Sequence, residues 1–130
     1  MGRGIKAQTS TEFVLFISVI FLVMLLLISA TIYYVKQYSK EKELAVIQRE
    51  ADMVKNEVYL ASTVDEGYVR TFQIDPDPDE PSFNMTQQNN TVIFRSEHYE
   101  YAADLGVKIN GTLRIGNNTI RNINGAVYVN

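Results

Sequence analysis

Residues 13–35 read FVLFISVIFLVMLLLISATIYYV, a run of 23 residues that contains no charged side chain. At about 1.5 Å per residue, a helix of this length spans roughly 35 Å, which is enough to cross the hydrocarbon core of a bilayer. Because no charge interrupts the run, every face of that helix is predominantly apolar. The run therefore predicts a segment that is surrounded by lipid or by copies of itself.

The residues on either side of the apolar run favour a membrane-inserted helix. The preceding segment MGRGIKA carries Arg3 and Lys6 and no acid, which favours a cytoplasmic amino terminus. Tyr33, Tyr34 and Tyr38 lie at the other end, as in the aromatic belt of a membrane helix. The run is longer than the apolar region of a secretory signal peptide, and no small-residue cleavage pattern follows it. From this pattern alone, the simplest interpretation is an uncleaved signal anchor.

The composition of the 130 residues argues against several classes of protein. The net charge of −3 and the lack of a basic stripe argue against nucleic-acid binding. With no cysteine, the chain has neither a disulfide nor a thiol nucleophile. The single histidine, His98, offers no metal-binding pair and no catalytic triad, and we interpret it as a surface residue of a strand. We therefore expect no enzyme activity, no cofactor and no metal site.

The pattern changes from wholly apolar to amphipathic at Lys36, and no glycine or proline lies between Thr9 and Glu66. The sequence thus predicts one continuous helix that ends near Ser62. A seam of apolar residues in its second half is spaced alternately by three and four positions: Leu44, Ile47, Ala51, Val54, Val58 and Ala61. This seam can pack against neighbouring helices or against a domain that folds back onto it. We favour the second, because the rest of the chain otherwise has too little core.

The charged residues of the same helical segment are predicted to form a solvated surface. They are Glu41, Lys42, Arg49, Glu50, Asp52 and Lys55. Gly67 then ends the helix. The following segment 75–81 contains three prolines, which predict an extended loop, and its alternating acids lack the spacing of a calcium-binding loop.

Residues 67–130 read as short strands separated by turns. Strands are predicted over residues 68–74, 91–95, 99–103 and 126–129, and shorter alternating runs are predicted beside the turns, at residues 107–109, 113–115 and 119–123. Asn110–Gly111 and Asn124–Gly125 predict tight hairpin turns, and residues 116–118 predict another turn. The predicted fold class is α+β. A long amino-terminal helix, apolar in its first half and amphipathic in its second, is packed by a small antiparallel β-sheet head of five or six strands.

Four Asn-x-Thr sequons lie in this head, at Asn84, Asn89, Asn110 and Asn117. Such sequons are acceptors for N-linked glycans, which are attached outside the cytoplasm. The sequons therefore predict an extracellular glycoprotein head. That placement agrees with the cytoplasmic amino terminus that the basic leader favours.

The junction between the leader and the apolar run, KAQTSTEF at residues 6–13, resembles the class III signal peptide of archaeal type IV pilins. In that family a small residue precedes the cleavage site, glutamine is the first mature residue and glutamate is the fifth. Ala7, Gln8 and Glu12 occupy those positions here, with Ala7 in place of the family's usual glycine. The Val-Tyr-Val pattern near the carboxyl terminus is similar to the end of an archaeal pilin head.

The resemblance implies that a prepilin peptidase cleaves between Ala7 and Gln8 on the cytoplasmic side. Residues 1–7 would be a cleaved leader, residues 8–62 the retained helix and residues 67–130 an extracellular head. The new amine of Gln8 would pair with Glu12 of an adjacent subunit and set the axial register. An assembly machine with an ATPase would build copies of the chain into an extracellular filament, which we expect to serve adhesion.

A second interpretation is an uncleaved single-pass protein that anchors an extracellular binding module to the membrane. Both interpretations share the predicted fold and place residues 13–35 in the membrane at first. They differ in whether the mature chain begins at Gln8 and whether it polymerises.

Overall fold

The computed structural model describes residues 3–75 and 77–130, and for residues 3–9 it describes the backbone only. The described chain consists of one helix and seven strands, and this confirms the α+β class. The elements are α1 (Arg3–Thr63), β1 (Val69–Ile74), β2 (Asn84–Gln88), β3 (Thr91–Arg95), β4 (Glu100–Asp104), β5 (Ile109–Gly111), β6 (Gly116–Ile123) and β7 (Ala126–Val129). The chain divides into two compact units, Met1–Ser39 and Lys40–Asn130, which we call the amino-terminal unit and the globular unit.

The amino-terminal unit is helical throughout its described residues. Ser18, Ser29 and Thr31 interrupt its apolar surface, and each hydroxyl donates a hydrogen bond to the carbonyl four residues earlier, at 2.8–2.9 Å. These bonds satisfy the hydroxyls within the helix itself. The three polar residues therefore do not prevent the helix from lying in an apolar environment.

The globular unit contains the last part of α1, and the helical seam lies in its core. Ile47, Ala51, Val54, Val58 and Ala61 are fully buried, and Leu44 is partly buried against them. Apolar residues of both β-sheets complete this core: Phe72, Ile74, Val92, Phe94, Ala103, Ile120, Val127 and Val129. Of the two predicted partners for the seam, the structure confirms the head that folds back onto the helix.

The strands form two sheets rather than the single antiparallel sheet that the sequence predicts. A three-stranded antiparallel sheet has the order β2-β3-β4, and a four-stranded mixed sheet has the order β1-β6-β7-β5. In the mixed sheet, β5 runs parallel to β7, with Ile109 opposite Val127. Gln87 of β2 links the sheets, because its side chain donates to the Gly111 carbonyl and accepts from the Leu113 amide.

Two of the predicted turns were wrong. Asn110 and Gly111 lie inside β5 instead of at a hairpin turn. Gly111 has a φ of 108°, and a side chain there would collide with the Val129 carbonyl oxygen of the neighbouring strand. Residues 116–118 likewise begin β6 instead of forming a turn. The Asn124–Gly125 turn is confirmed, since it connects β6 to β7 and both residues have positive φ.

Two buried asparagines on β6 tie the mixed sheet to its surroundings. Asn122 donates hydrogen bonds from its side-chain amide to the carbonyls of Ala61 and Val64, at 2.9 and 3.0 Å. These bonds satisfy carbonyls at the end of α1 that have no partner within the helix. Asn118 is fully buried, and its amide donates to the carbonyls of Arg114 and Gly116. Asn122 therefore ties the end of α1 to β6, and Asn118 holds the backbone where the chain enters that strand.

Candidate functional site

The largest candidate site is the apolar surface of the amino-terminal unit, formed by residues 13–35. Its large side chains are exposed, from 45% for Ile28 to 71% for Tyr34. Within the described chain, one helix contains a stretch that is long and apolar enough to cross a membrane, and this is that stretch. Contiguous apolar surfaces of this size mark contacts with lipid or protein. We therefore expect this surface to be buried against lipid or protein.

The predicted processing and register residues lie at the start of this surface. The backbone at Ala7 and Gln8 is helical, whereas their side chains lie outside the described part of the chain. Glu12 is described, and it is helical and exposed. One helical turn separates residue 8 from Glu12, so the two positions lie on the same side of α1. The structure thus leaves the Glu12 carboxylate accessible to a cation from outside the chain.

Three of the four sequon asparagines are exposed. Asn84 is the first residue of β2, Asn89 lies in the turn between β2 and β3 with a φ of 54°, and Asn117 lies on β6. Asn110 differs, because it is partly buried and its Nδ2 lies 3.4 Å from the Val127 carbonyl oxygen, to which it donates. Nδ2 is the atom to which an N-linked glycan would be attached. The folded head therefore presents three accessible acceptors and one restricted acceptor.

An open polar cleft of about 670 Å³ lies beside one of these sequons. Gln88, Asn89, Asp104 and Lys108 are among the side chains that line it. Amides, a carboxylate and an ammonium group supply hydrogen bonds but little apolar contact. Ligand sites usually combine a mostly apolar lining with a few polar groups, and this cleft lacks that lining.

Three buried glutamates follow one another at intervals of seven residues along α1: Glu43, Glu50 and Glu57. The predicted solvation of Glu50 was wrong, since this residue is only 7% exposed. Its carboxylate pairs with Arg49 at 3.0 Å, and that of Glu57 pairs with Arg70 at 3.1 Å. The interval of seven matches that of the apolar seam, so each acid lies at its edge. That interval was the signal in the sequence that would have revealed their burial.

Glu43 contacts the bend between β3 and β4. Its carboxylate accepts hydrogen bonds from the Ser96 hydroxyl and the His98 backbone amide, and the His98 ring nitrogen Nδ1 lies 3.0 Å from Oε1. Burial raises the pKa of the Glu43 carboxyl, but the hydrogen bonds from His98 and Ser96 outweigh it and leave that pKa below its usual value. The strand position predicted for His98 was wrong, because His98 lies in the bend.

The proline-rich loop is held against α1 by two basic side chains. Arg49 forms a bidentate pair with Glu80 at 3.1 and 2.7 Å, and Lys42 donates to the Asp79 carbonyl at 3.2 Å. Hydrogen bonds from Arg49 lower the pKa of Glu80. Hydrogen bonds to Glu80 and Glu50 raise the pKa of Arg49, so the pair is ionised at neutral pH. The extended loop is therefore tethered at its second half.

The chain matches no protein-family model, no curated protein and no solved structure.

Proposed function

We propose that this chain is the structural subunit, a pilin, of an extracellular type IV-like filament that polymerises through its amino-terminal helix. The observation that carries the proposal is the exposed, charge-free helical surface at residues 13–35. Directly before it lies the KAQTSTEF junction, which resembles a class III signal peptide. The globular unit completes its own core without this surface, which therefore remains available for assembly.

The membrane would hold the precursor before assembly. A prepilin peptidase would remove residues 1–7 and leave the apolar helix attached to the head. Transfer of this helix from lipid to a bundle of like helices gains little from the hydrophobic effect, since both environments are apolar. Most of the free energy of assembly would come from close packing, from contacts of Glu12 and from ATP hydrolysis by the assembly machine.

Once the filament is outside the cell, the hydrophobic effect would keep it together. Dissociation would expose the surface of residues 13–35 to water, at a cost of about 25 cal/mol for each Å² of apolar area. Every subunit would carry this cost over a run of 23 residues. The proposal thus accounts for a helix that has no partner of its own chain along its apolar surface, within the described residues.

Glu12 would set the axial position of neighbouring subunits. A carboxylate at the edge of an apolar bundle is costly unless a cation pairs with it. Cleavage before Gln8 would create such a cation, the new α-amine. Because the Glu12 carboxylate is exposed, it can accept a hydrogen bond from the amine of an adjacent copy.

The globular units would form the outer coat of the filament. Asn84, Asn89 and Asn117 present exposed acceptors for glycans on that coat. Asn110 is the acceptor that we expect to stay unmodified, because its amide is bonded to Val127. Adhesion is the role that we infer for such a coated filament, and the polar head supplies its contact surface.

The alternative is a permanently anchored single-pass protein whose head binds a ligand. The polar cleft beside Asn89 is the feature that favours it. The cleft lacks an apolar lining, and a simple anchor does not require the KAQTSTEF junction. We therefore prefer the filament.

Electron microscopy of the source cells would test this proposal. Cells that express the chain should carry surface filaments, and the sheared filaments should contain it. Cells that lack the chain should lack those filaments and regain them when the chain is restored. If the chain is expressed and no filament depends on it, the proposal is wrong.

A further inference from the structure

The bend between β3 and β4 brings three possible metal ligands together beside α1. Oxygens of Glu43 and Glu97 and a ring nitrogen of His98 all lie within 4.8 Å of one another. Glu43 comes from the helix, whereas Glu97 and His98 are consecutive residues of the bend. Because about 55 positions separate Glu43 from the other two along the chain, the sequence does not reveal the cluster.

The Glu43 carboxylate is held in one orientation. Its Oε2 atom accepts from the Ser96 hydroxyl at 3.1 Å and from the His98 backbone amide at 3.2 Å. Its Oε1 atom contacts His98 Nδ1 at 3.0 Å, and this nitrogen also lies 3.1 Å from Oε2. Fixed donors on a ligating carboxylate orient it and tune its affinity in metal sites. Oε1 is thus aimed at the imidazole and remains available to a cation.

The donor set fits a zinc-like ion, and so does the separation between Glu43 and His98. Zinc binds imidazole nitrogen and carboxylate oxygen at about 2.0–2.2 Å, so two such ligands in a tetrahedral shell lie roughly 3.3 Å apart. The observed separation of 3.0 Å between Oε1 and Nδ1 is close to that value. Direct hydrogen bonding of His98 to Glu43 also gives this distance, but it leaves the nearby Glu97 carboxylate without a role. Within the described chain, Glu97 has no other hydrogen-bond or ion-pair partner.

We propose that Glu43, Glu97 and His98 bind a divalent transition-metal ion of the zinc class, with water at the remaining positions. The ion would join α1 to the β3–β4 bend. The globular unit has no disulfide, because the chain contains no cysteine. Small domains without disulfides often gain stability from a metal ion that links distant segments. The site goes beyond filament assembly, since it concerns the stability of the head alone.

Zinc titration of the purified full-length chain in detergent micelles would test the site, starting from chelator-treated protein. We expect one Zn²⁺ per chain in competition with a chromophoric chelator. We also expect the unfolding midpoint to rise by roughly 10 °C when free zinc exceeds the dissociation constant about 100-fold. Cobalt should give the visible absorption of a nitrogen- and oxygen-ligated ion. His98→Ala should abolish both responses.

Glu97→Gln is the decisive variant. Because Glu97 is exposed and has no partner in the described chain, this change should leave the metal-free head as stable as before. It should weaken zinc binding at least about tenfold, since it removes one ligand. Glu100→Gln is the control for loss of a nearby charge outside the cluster; it also breaks the surface ion pair of Glu100 with Arg95, and it should bind zinc like the unmodified chain.

Two results would overturn the proposal. Glu97→Gln could bind zinc as tightly as Glu100→Gln, which would show that Glu97 is not a ligand and that the three-residue site is wrong. Alternatively, zinc binding could persist in His98→Ala, which would assign the ion to other groups, such as the acids of residues 75–79.

Discussion

The two units of this chain use the same long helix in opposite ways. In the amino-terminal unit the helix is apolar on all sides and exposes residues 13–35. In the globular unit it is apolar along one seam, and the sheets of the same chain bury that seam. The difference lies in the spacing of apolar residues, since a continuous run needs surroundings on every side and a seam needs one partner. The first pattern indicates contact with lipid or with protein outside the chain, and the second indicates folding.

The largest effect should come from truncation in the buried seam. Ile47 is fully buried, so Ile47→Ala should lower the free energy of unfolding of the globular unit by about 3 kcal/mol, through lost burial and a cavity. Urea unfolding of the full-length chain in detergent, followed by near-ultraviolet circular dichroism, would measure it. Ile28→Ala makes the same truncation on the exposed surface and should leave that free energy unchanged. Equal losses in both variants would remove the distinction between the two units.

A smaller loss should follow when the helix end loses its hydrogen bonds to β6. Asn122→Ala leaves the Ala61 and Val64 carbonyls without their donor, so we expect a loss of about 2 kcal/mol in unfolding free energy. The same urea experiment on unglycosylated protein would measure it. Asn117→Ala is the control on the exposed side of the same strand and should cost less than about 0.5 kcal/mol. If Asn122→Ala leaves the free energy of unfolding unchanged, water satisfies these carbonyls in the variant.

Replacement of Glu12 should affect assembly and leave folding unchanged. Loss of one charge-assisted hydrogen bond is worth about 1.5–3 kcal/mol, so Glu12→Ala should lower filament yield at least about tenfold. Membrane insertion and the unfolding midpoint of the globular unit should not change. Yield is measured by immunoblotting of sheared filaments, with Glu66→Ala as a control at another exposed glutamate. Unchanged yield would refute the register role.

The smallest effect should be the acid sensitivity of the loop tether. The pair with Arg49 lowers the pKa of Glu80 below its usual value. Its contribution to stability is therefore complete at pH values well above the usual glutamate pKa and is lost as the pH falls through the lowered pKa. Unfolding midpoints measured between pH 6 and pH 3 should show this loss, and Glu80→Gln should remove that part of the pH dependence. A Glu80→Gln profile identical to that of the unmodified chain would contradict the tether.

Local signals in the sequence predicted most of the elements. The helix, its seam and the strands at 69–74, 91–95 and 126–129 follow from periodicity and turn residues within short windows. The turn at Asn124–Gly125 was also predicted from a local signal, and it is confirmed. The turn predicted at Asn110–Gly111 was wrong because Gly111 is required for close approach to Val129 in a parallel pair with β7. Pairing between distant strands is not visible in a local window.

The candidate sites also divide into features that a short stretch of sequence reveals and contacts between residues that are distant in the chain. The apolar surface, Glu12 and the sequons are readable from short motifs, and the structure shows Glu12, Asn84, Asn89 and Asn117 exposed. Their roles in cleavage, register and glycosylation stay predictions. The contact of Glu43 with His98 was missed, because it joins the helix to a bend 55 residues away. Burial of Glu50 was missed because a charged residue beside an apolar seam usually faces solvent.

The mass of the chain in sheared surface material tests the central claim most directly. If the apolar helix is built into a filament after cleavage, intact mass spectrometry should find the chain beginning at Gln8 in polymers that remain outside the cell. Glycopeptide masses from the same sample should place glycans on Asn84, Asn89 and Asn117. If the chain is instead found only in the membrane fraction, with residues 1–7 still attached, the helix is an anchor and the account is wrong.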